Sequence, residues 1–292
     1  VEMHLKSSDW YAHLHETDPA YDNVILHVVW EHDVEIYRKN ETVIPSLVLK
    51  DKVADAVLQS YNDLLETSHL KINCEKHFGE FPDFQMEHWL ERLFFERLEK
   101  KSGLILDLLS KTGNNWEAVL FVLFARSFGS KVNGDSFMNM ALSLDFKIVQ
   151  KLASNQFALE ALFLGQAGLI RNTDKYGKAL EEEYAFLKHK FSLENEFIAS
   201  PQFFRLRPDN FPNIRLAQLA AYYSENKNVF QQLINAKEAN SIRDLFKIRI
   251  SEYWQSHYNF GKIHAQKDKK LSADFVDLII INCIIPLKHC YF

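Results

Sequence analysis

The chain has 292 residues, of which 47% are hydrophobic and 25% are charged, and its formal net charge is −5. This composition is typical of a globular protein with one large domain or two ordinary ones, and it excludes a disordered chain. The mildly acidic charge gives no overall attraction to nucleic acid or to an anionic membrane, so either partner would need a local basic groove.

Residues 1–50 have the patterns of β-strands. VEMHLK alternates apolar and polar side chains, and NVILHVVW is a β-branched, apolar run typical of a strand that is buried on both faces. Two further runs within 34–49 flank Lys39-Asn40, a pair that favours a hairpin turn. We therefore predict a small mixed β-sheet over residues 1–50, with segment 7–23 as a loop or short helix between two strands.

From about residue 51 the apolar positions recur with helical spacing. Val53, Val57, Tyr61 and Leu64 fall on one helical face. The run NNWEAVLFVLFARSFG begins with an Asn cap and closes on a glycine. Similar spacing predicts further helices over 84–109, 136–152, 156–169, 176–191, 212–224, 228–235, 240–256 and 272–288. The predicted fold class is therefore α+β, a small sheet region at 1–50 followed by a large helical domain over 51–292.

The spacing of the cysteines and the length of the apolar segments indicate in which cellular compartment the protein resides. Cys74, Cys283 and Cys290 are scattered and lack the Cys-x-x-Cys spacing of a zinc knuckle or a disulfide framework. No signal peptide is visible, and the apolar stretch FVDLIIINCIIPL is interrupted by Asp, Asn and Pro, as in a buried core helix. We expect a cytoplasmic protein without a membrane span. We also expect residues beyond both ends, because the chain starts without Met inside a predicted strand and stops on an aromatic residue.

The first predicted strand carries a candidate catalytic face. Glu2, His4 and Lys6 alternate onto one side of VEMHLK. In phosphodiester-cleaving enzymes a strand carboxylate of this kind binds Mg²⁺ or Mn²⁺, and a basic neighbour orients or deprotonates the attacking water. Glu2 would then be a metal ligand and His4 a catalytic or Mn²⁺-binding group. The alternative is a sheet with a solvated polar face.

The segment SSDWYAHLHE adds further candidate ligands. If Ser8 caps a short helix, Asp9, His13 and Glu16 share one helical face, and a carboxylate beside a histidine fixes the imidazole for catalysis or for a metal. If the segment is extended, His13 and His15 share a side and both can bind a metal. The alternative is an exposed, capped polar turn.

One more histidine lies in the middle of a predicted strand. His27 in NVILHVVW is a buried core histidine or lies beside His4 on a neighbouring strand. His32, at the end of the same strand, is expected to be solvated.

The helical region contains one cluster of arginines, in RLRPDNFPNIRLAQLAAYY. Arg205, Arg207 and Arg215 supply three fixed positive charges within eleven residues. They are candidates for gripping the phosphates of a nucleic acid, and the alternative is that they brace this irregular link by ion pairs. The run LFLGQAGLI also has two glycines, but it lacks the ending of a phosphate loop. Close packing between helices therefore explains Gly165 and Gly168 best.

The quoted runs, together with INCIIPL near the end of the chain, resemble an uncharacterised bacterial family, domain of unknown function 2851. The resemblance extends over nearly the entire chain. It implies a Gly-Pro-Asp-Phe stretch shortly upstream of the first strand and hence a site similar to that of the PD-(D/E)xK nucleases. In that comparison Glu2 is the metal-binding carboxylate, His4 takes the place of the usual Lys, and Lys6 is a stand-in for it. The Pro-Asp segment and the usual Lys are not in this sequence.

The leading expectation is therefore a hydrolase of phosphodiesters that depends on Mg²⁺ or Mn²⁺. Two alternatives remain open. One is a non-catalytic binding or scaffold protein with a structural His-rich loop, which buried histidines bound to backbone carbonyls would favour. The other is a hydrolase of a different substrate with a transition metal held by His4, His13, His15 and Asp9. The sequence does not predict the oligomeric state.

Overall fold

A computed structural model describes residues 1–66, 78–195 and 198–292. Cys74 lies outside these ranges. The chain divides into two compact units, Val1–Glu87 and His88–Phe292. The fold is α+β as predicted, with a small sheet near the N-terminus followed by many helices. None of the helices in the described ranges combines the length and the apolar composition needed to cross a membrane.

The first unit contains a three-stranded sheet. Its strands are β1 (Glu2–Lys6), β2 (His27–Glu31) and β3 (Ser46–Val48), in the order β1-β2-β3. All three are parallel, and the antiparallel pairing predicted within 34–49 is reduced to a bridge between Tyr37 and Val43. Beyond that bridge the carbonyl of Pro45 accepts from the amide of His27, so the chain leaves the turn to pair with β2 instead.

A small apolar core supports this sheet. Trp10, Val24, Ile36 and Ile44 are buried together, and Tyr21 packs against them. All four of these residues come from the connections between strands, so the core fixes the loop that carries His13 and His15. Helix α1 (Asp9–Ala12) supplies Trp10, and helix α2 (Asp55–Glu66) follows the sheet.

Helices make up most of the remaining described chain. Their bounds are α3 (Asp83–Lys111), α4 (Trp116–Leu142), α5 (Phe146–Leu152), α6 (Gln156–Gln166), α7 (Lys175–Phe191), α8 (Pro212–Glu225), α9 (Val229–Asn235), α10 (Ala239–Asp244), α11 (Glu252–Ser256), α12 (Ala273–Ile279) and α13 (Ile285–Tyr291). In the second unit α6 packs on α7 and α8, and α8 also packs on α4. Helix α8 is buried on every side from Pro212 to Tyr223, which makes it the centre of this core.

Three helix boundaries differ from those expected. Helix α4 kinks at the non-helical Ser130 (φ 55°, ψ −153°), directly after the predicted end at Gly129, and its second segment to Leu142, together with α5, replaces the predicted helix over 136–152. The predicted helix over 240–256 forms as the two short helices α10 and α11. Between α12 and α13, Ile280–Ile284 forms a π-helical turn. Pro286 follows this turn, and because it has no amide hydrogen it cannot donate the usual helical hydrogen bond.

Candidate metal centre

Strand β1 and the loop after α1 bring three histidines together. The alternation of β1 places His4 on the same face as Glu2. Helix α1 ends at Ala12, and Leu14 has a positive φ of 60°, an uncommon value for a residue with a side chain. This left-handed residue turns the chain between His13 and His15, so both imidazoles face His4.

The three imidazoles are close enough to share one ion. One ligand nitrogen from each of His4, His13 and His15 lies within 4.8 Å of the other two. The distance between His4 Nε2 and His13 Nδ1 is 3.1 Å. A tetrahedral Zn²⁺ site with bonds of about 2.0–2.1 Å separates its nitrogens by about 3.3 Å. The cluster therefore needs only small side-chain adjustments to match that geometry.

His27, on the neighbouring strand β2, orients His4 through a hydrogen bond. Parallel pairing places His27 of β2 beside β1, and the distance between His4 Nδ1 and His27 Nε2 is 2.8 Å. For His4 to bind a metal through Nε2, its Nδ1 must carry the proton and donate it to His27, and this contact has the distance that such a bond requires. Both alternatives considered for His27 hold, because it is fully buried and also lies beside His4.

Burial keeps this histidine pair neutral. The side chain of His4 is 7% exposed, and His27 is fully buried. Burial lowers the pKa of both imidazoles below the usual value, and the neighbouring histidines lower it further, while Glu2 partly opposes the change. Neutral imidazoles have the free lone pair that a metal ligand needs.

Glu2 and Lys6 flank the histidines, whereas Asp9 has another role. Glu2 Oε1 lies 3.9 Å from His4 Nε2, within reach of a shared ion or of a water molecule on it. Asp9 Oδ2 accepts from the backbone amide of Lys6 at 2.9 Å. The predicted helical face of Asp9, His13 and Glu16 does not form, because α1 ends before His13. The side chain of Lys6 is exposed on the same face of β1 as Glu2 and His4.

A hydrogen-bonded serine pair holds the end of β1 in place. Ser7 Oγ donates to Asp33 Oδ1 at 2.8 Å and accepts from the amides of Asp33 and Val34. The hydroxyl and amide of Ser8 donate to the same carboxylate. These donors hold the pKa of Asp33 well below its usual range. Sequence reasoning assigned Ser8 as a helix cap and missed Asp33, whose partners lie about 25 residues away and carry no local signal.

Aromatic rings form the wall behind the cluster. The ring of Tyr21 stacks on His15 with 3.8 Å between centroids, and Trp10 meets both His15 and His27 edge to face. His15 is therefore fixed by stacking and His4 by hydrogen bonding. His32 lies apart from the cluster, exposed as predicted, with Nε2 3.4 Å from Glu35 Oε1. Because stacking already holds His15 and hydrogen bonding already holds His4, less conformational entropy is lost when these side chains bind an ion.

A family model described as "Protein of unknown function (DUF2851)" matches residues 1–292. The chain belongs to this family. The predicted family resemblance is thus confirmed over its whole length. No curated protein and no solved structure matched the chain. Because the description of the DUF2851 family carries no activity, a function for this member must be argued from its own site.

The arginines predicted to bind nucleic acid do not form one exposed group in this family member. Arg215 is 8% exposed, donates to Asn210 and Gln218, and lies with Cζ 3.7 Å from the ring centre of Phe275. It therefore braces the start of α8, through amides and a ring instead of the expected ion pairs. Arg205 and Arg207 are exposed.

Proposed function

We propose that this protein is a hydrolase that depends on a divalent transition metal and acts on phosphodiesters. The observation that supports this proposal is the convergence of His4, His13 and His15, whose ligand nitrogens lie within 4.8 Å of one another. His4 and His27 also have lowered pKa values and remain neutral near pH 7. Three imidazole ligands that leave coordination positions open are typical of catalytic rather than structural metal sites.

The ligand type favours Zn²⁺ or Mn²⁺ over Mg²⁺. Imidazole nitrogen suits Zn²⁺ and other transition metals, whereas Mg²⁺ prefers oxygen ligands in octahedral geometry. Glu2 is the nearby carboxylate, 3.9 Å from His4 Nε2, and it can complete the ligand set or face a bound water. We therefore narrow the sequence-based expectation of Mg²⁺ or Mn²⁺ to Mn²⁺, and we add Zn²⁺.

Each residue of the site has a distinct proposed role. A bound metal of this kind supplies a water molecule of lowered pKa, the nucleophile of many hydrolases. Glu2 accepts the proton from that water, and His27 keeps His4 in the ligating tautomer. Lys6 binds an anionic phosphodiester oxygen, because its ammonium is exposed on the same strand face. The nuclease resemblance implies metal-binding or catalytic roles for three of these residues, Glu2, His4 and Lys6.

The first test is metal content and affinity. We expect the full chain to bind about one Zn²⁺ or Mn²⁺, measured by mass spectrometry of the metal and by calorimetry of the metal-free protein. The paired change His13→Ala/His15→Ala removes two ligands and should abolish binding. His32→Ala is the matched control, because His32 is exposed and lies outside the cluster. Equal binding by the wild type and the paired variant would rule out this metal centre.

The second test is hydrolysis. With the bound metal, we expect cleavage of bis(p-nitrophenyl) phosphate and of plasmid DNA, lost in the paired histidine variant. Glu2→Gln should retain the metal and lower the rate by roughly 10²–10⁴-fold, the usual contribution of a general base. A protein that binds the metal and cleaves neither substrate would instead support the alternative, a non-catalytic binding protein.

A further inference from the structure

The second unit contains a cavity of about 490 Å³ whose lining is unusually basic. Residues of α3, α4 and α12 form its walls. Lys101 comes from α3, and Arg126 and Lys131 come from α4. Asp135 is the one carboxylate in this lining, and its side chain is 81% exposed. Three cations and one carboxylate leave two positive charges facing the cavity.

A break in α4 places two of these cations on the same wall. Arg126 and Lys131 are five residues apart, and in an uninterrupted helix they would point about 140° away from each other. Ser130, with φ 55° and ψ −153°, interrupts the helix between them, so both line the cavity. A positive φ at a residue with a side chain costs free energy, and such residues concentrate at functional sites.

The cations lack sufficient counter-charge within the protein. Arg126 Nη2 is 3.3 Å from Asp135 Oδ1, a partly exposed ion pair. For Lys101 and Lys131, the described part of the chain shows no ion-pair partner. Burial lowers the pKa of Lys101, and the positive charges of Arg126 and Arg97 lower it further. Positive charges held this close repel one another, and a bound anion would relieve the repulsion.

An apolar part of the cavity lining lies beside the cations. Leu104 and Ile105 of α3, Leu123 of α4, and Phe275 and Leu278 of α12 form it. Leu278 is 57% exposed, so this wall is open to an incoming molecule. A ligand that fits this lining combines an anionic group, which contacts the cations, with an apolar or aromatic body, which contacts the apolar side chains.

We propose that this cavity binds a phosphate monoester with an apolar or aromatic body, about the size of a mononucleotide. Two spare positive charges match a phosphate monoester, which carries a charge of about −1.5 to −2 at pH 7. A carboxylate would neutralise only one of them. This site belongs to the second unit, and the proposal does not depend on the metal centre.

Calorimetry with two probes tests the proposal: adenosine monophosphate, and inorganic phosphate as the bare anion. The protein is the full chain carrying His13→Ala/His15→Ala and treated with EDTA, so that no ion in the first unit holds the phosphate. We expect adenosine monophosphate to bind more tightly than inorganic phosphate, because the base contacts the apolar wall. Adenosine, which lacks the phosphate, should bind at least tenfold more weakly, since charge-assisted hydrogen bonds carry the interaction.

Charge-removing variants assign the binding to this cavity. Lys101→Gln and Lys131→Gln should each weaken the binding of adenosine monophosphate roughly tenfold. Lys178→Gln removes the same charge from an exposed position on α7, outside the cavity, and should leave the affinity unchanged. Circular dichroism confirms that each variant folds. Binding that Lys101→Gln and Lys131→Gln do not weaken, or the absence of binding by either phosphate probe, would overturn the proposal.

Discussion

His4 of β1 and His27 of β2 share a hydrogen bond of 2.8 Å between Nδ1 and Nε2, and this bond joins two neighbouring strands beneath the cluster. His27 is fully buried, and no hydrogen-bond partner of its Nδ1 is found in the described residues. Within the described residues, the side-chain hydrogen bond of His27 is therefore the one to His4. A residue placed in this way orients a ligand without touching the ion itself.

Replacing His27 should weaken metal binding while leaving all three proposed ligands in place. We expect His27→Phe to lower the Zn²⁺ affinity by roughly 10–100-fold, the usual effect of removing the hydrogen-bond partner of a ligating histidine. His27→Gln keeps an oxygen that can accept from His4 Nδ1 and should restore part of the affinity. Calorimetry measures both values. If both variants bind Zn²⁺ as tightly as the wild type, His27 has no role in orienting His4.

Ser7 should contribute far more to stability than its neighbour Ser8. Ser7→Ala removes the acceptor of two amides, those of Asp33 and Val34, and leaves both without that partner. These hydrogen bonds are part-buried and each contributes about 0.5–1.5 kcal/mol, so we expect the free energy of unfolding of the first unit to fall by about 1–3 kcal/mol. Ser8→Ala removes one hydroxyl donor to Asp33 and serves as the control. Hydrogen exchange of amides 2–48 measures both, and equal effects would contradict the assignment.

Two glycines in helices should respond in opposite directions to alanine. A Cβ at Gly165 would lie 2.2 Å from the ring of Tyr184, whose hydroxyl is held by Gln166. Gly165→Ala should therefore destabilise the second unit by about 1–3 kcal/mol or more. At Gly103 of α3 a Cβ meets nothing within 4 Å. Gly103→Ala should stabilise the helix by up to about 1 kcal/mol. Thermal unfolding of the two variants gives the sign of each effect.

Arg215 should not tolerate the conservative change to lysine. A lysine cannot donate to Asn210 and Gln218 together while it stacks on Phe275, so Arg215→Lys should lower the free energy of unfolding by about 1–3 kcal/mol. Arg207→Lys is the matched control at an exposed position and should change it by less than about 0.5 kcal/mol. Urea unfolding compares the two, and a difference within error would show that Arg215 is not a brace.

Lys269 should make the second unit more stable at alkaline pH. It is 4% exposed and donates to the carbonyls of Trp254 and His257, and burial lowers its pKa to about 8 from 10.5. Between these values the unfolded chain holds the proton and the folded chain does not, so the free energy of unfolding rises with pH. In urea unfolding from pH 7 to 10.5, the free energy of unfolding of the wild type minus that of Lys269→Met should increase with pH, which separates Lys269 from the buried tyrosines, whose raised pKa values act in the opposite direction. Parallel curves for the two proteins would contradict this pKa assignment.

Several features of the site were predictable because they depend on local periodicity. The alternation of VEMHLK places Glu2 and His4 on one face of β1, and the position of His27 within a second strand allows it to lie beside His4. The close packing expected for Gly165 also holds, since a Cβ there would overlap the ring of Tyr184, whereas Gly168 has a positive φ of 68° and no such close contact. The helical domain follows from its apolar spacing, which is strong over long segments.

Other features depend on partners that are distant in sequence. The hydroxyl of Ser8 donates to Asp33 instead of capping α1, α1 ends at Ala12, and Asp9 accepts from the amide of Lys6. The left-handed Leu14 that turns His13 and His15 toward His4 has no residue signal, since glycine or asparagine usually marks such a position. The burial of Arg215 follows from α8 being enclosed on all sides, which a helical pattern does not reveal.

The order of the sheet has a consequence for how the protein is made. The strands β1, β2 and β3 are neighbours in the same order as they occur in the chain, and the histidines, Glu2 and Asp33 all precede residue 50. Chains are synthesised from the N-terminus, and domains generally fold in that order as they emerge. Every side chain of the proposed metal centre is therefore outside the ribosome before the second unit is finished, so the proposed site is already complete in a nascent chain.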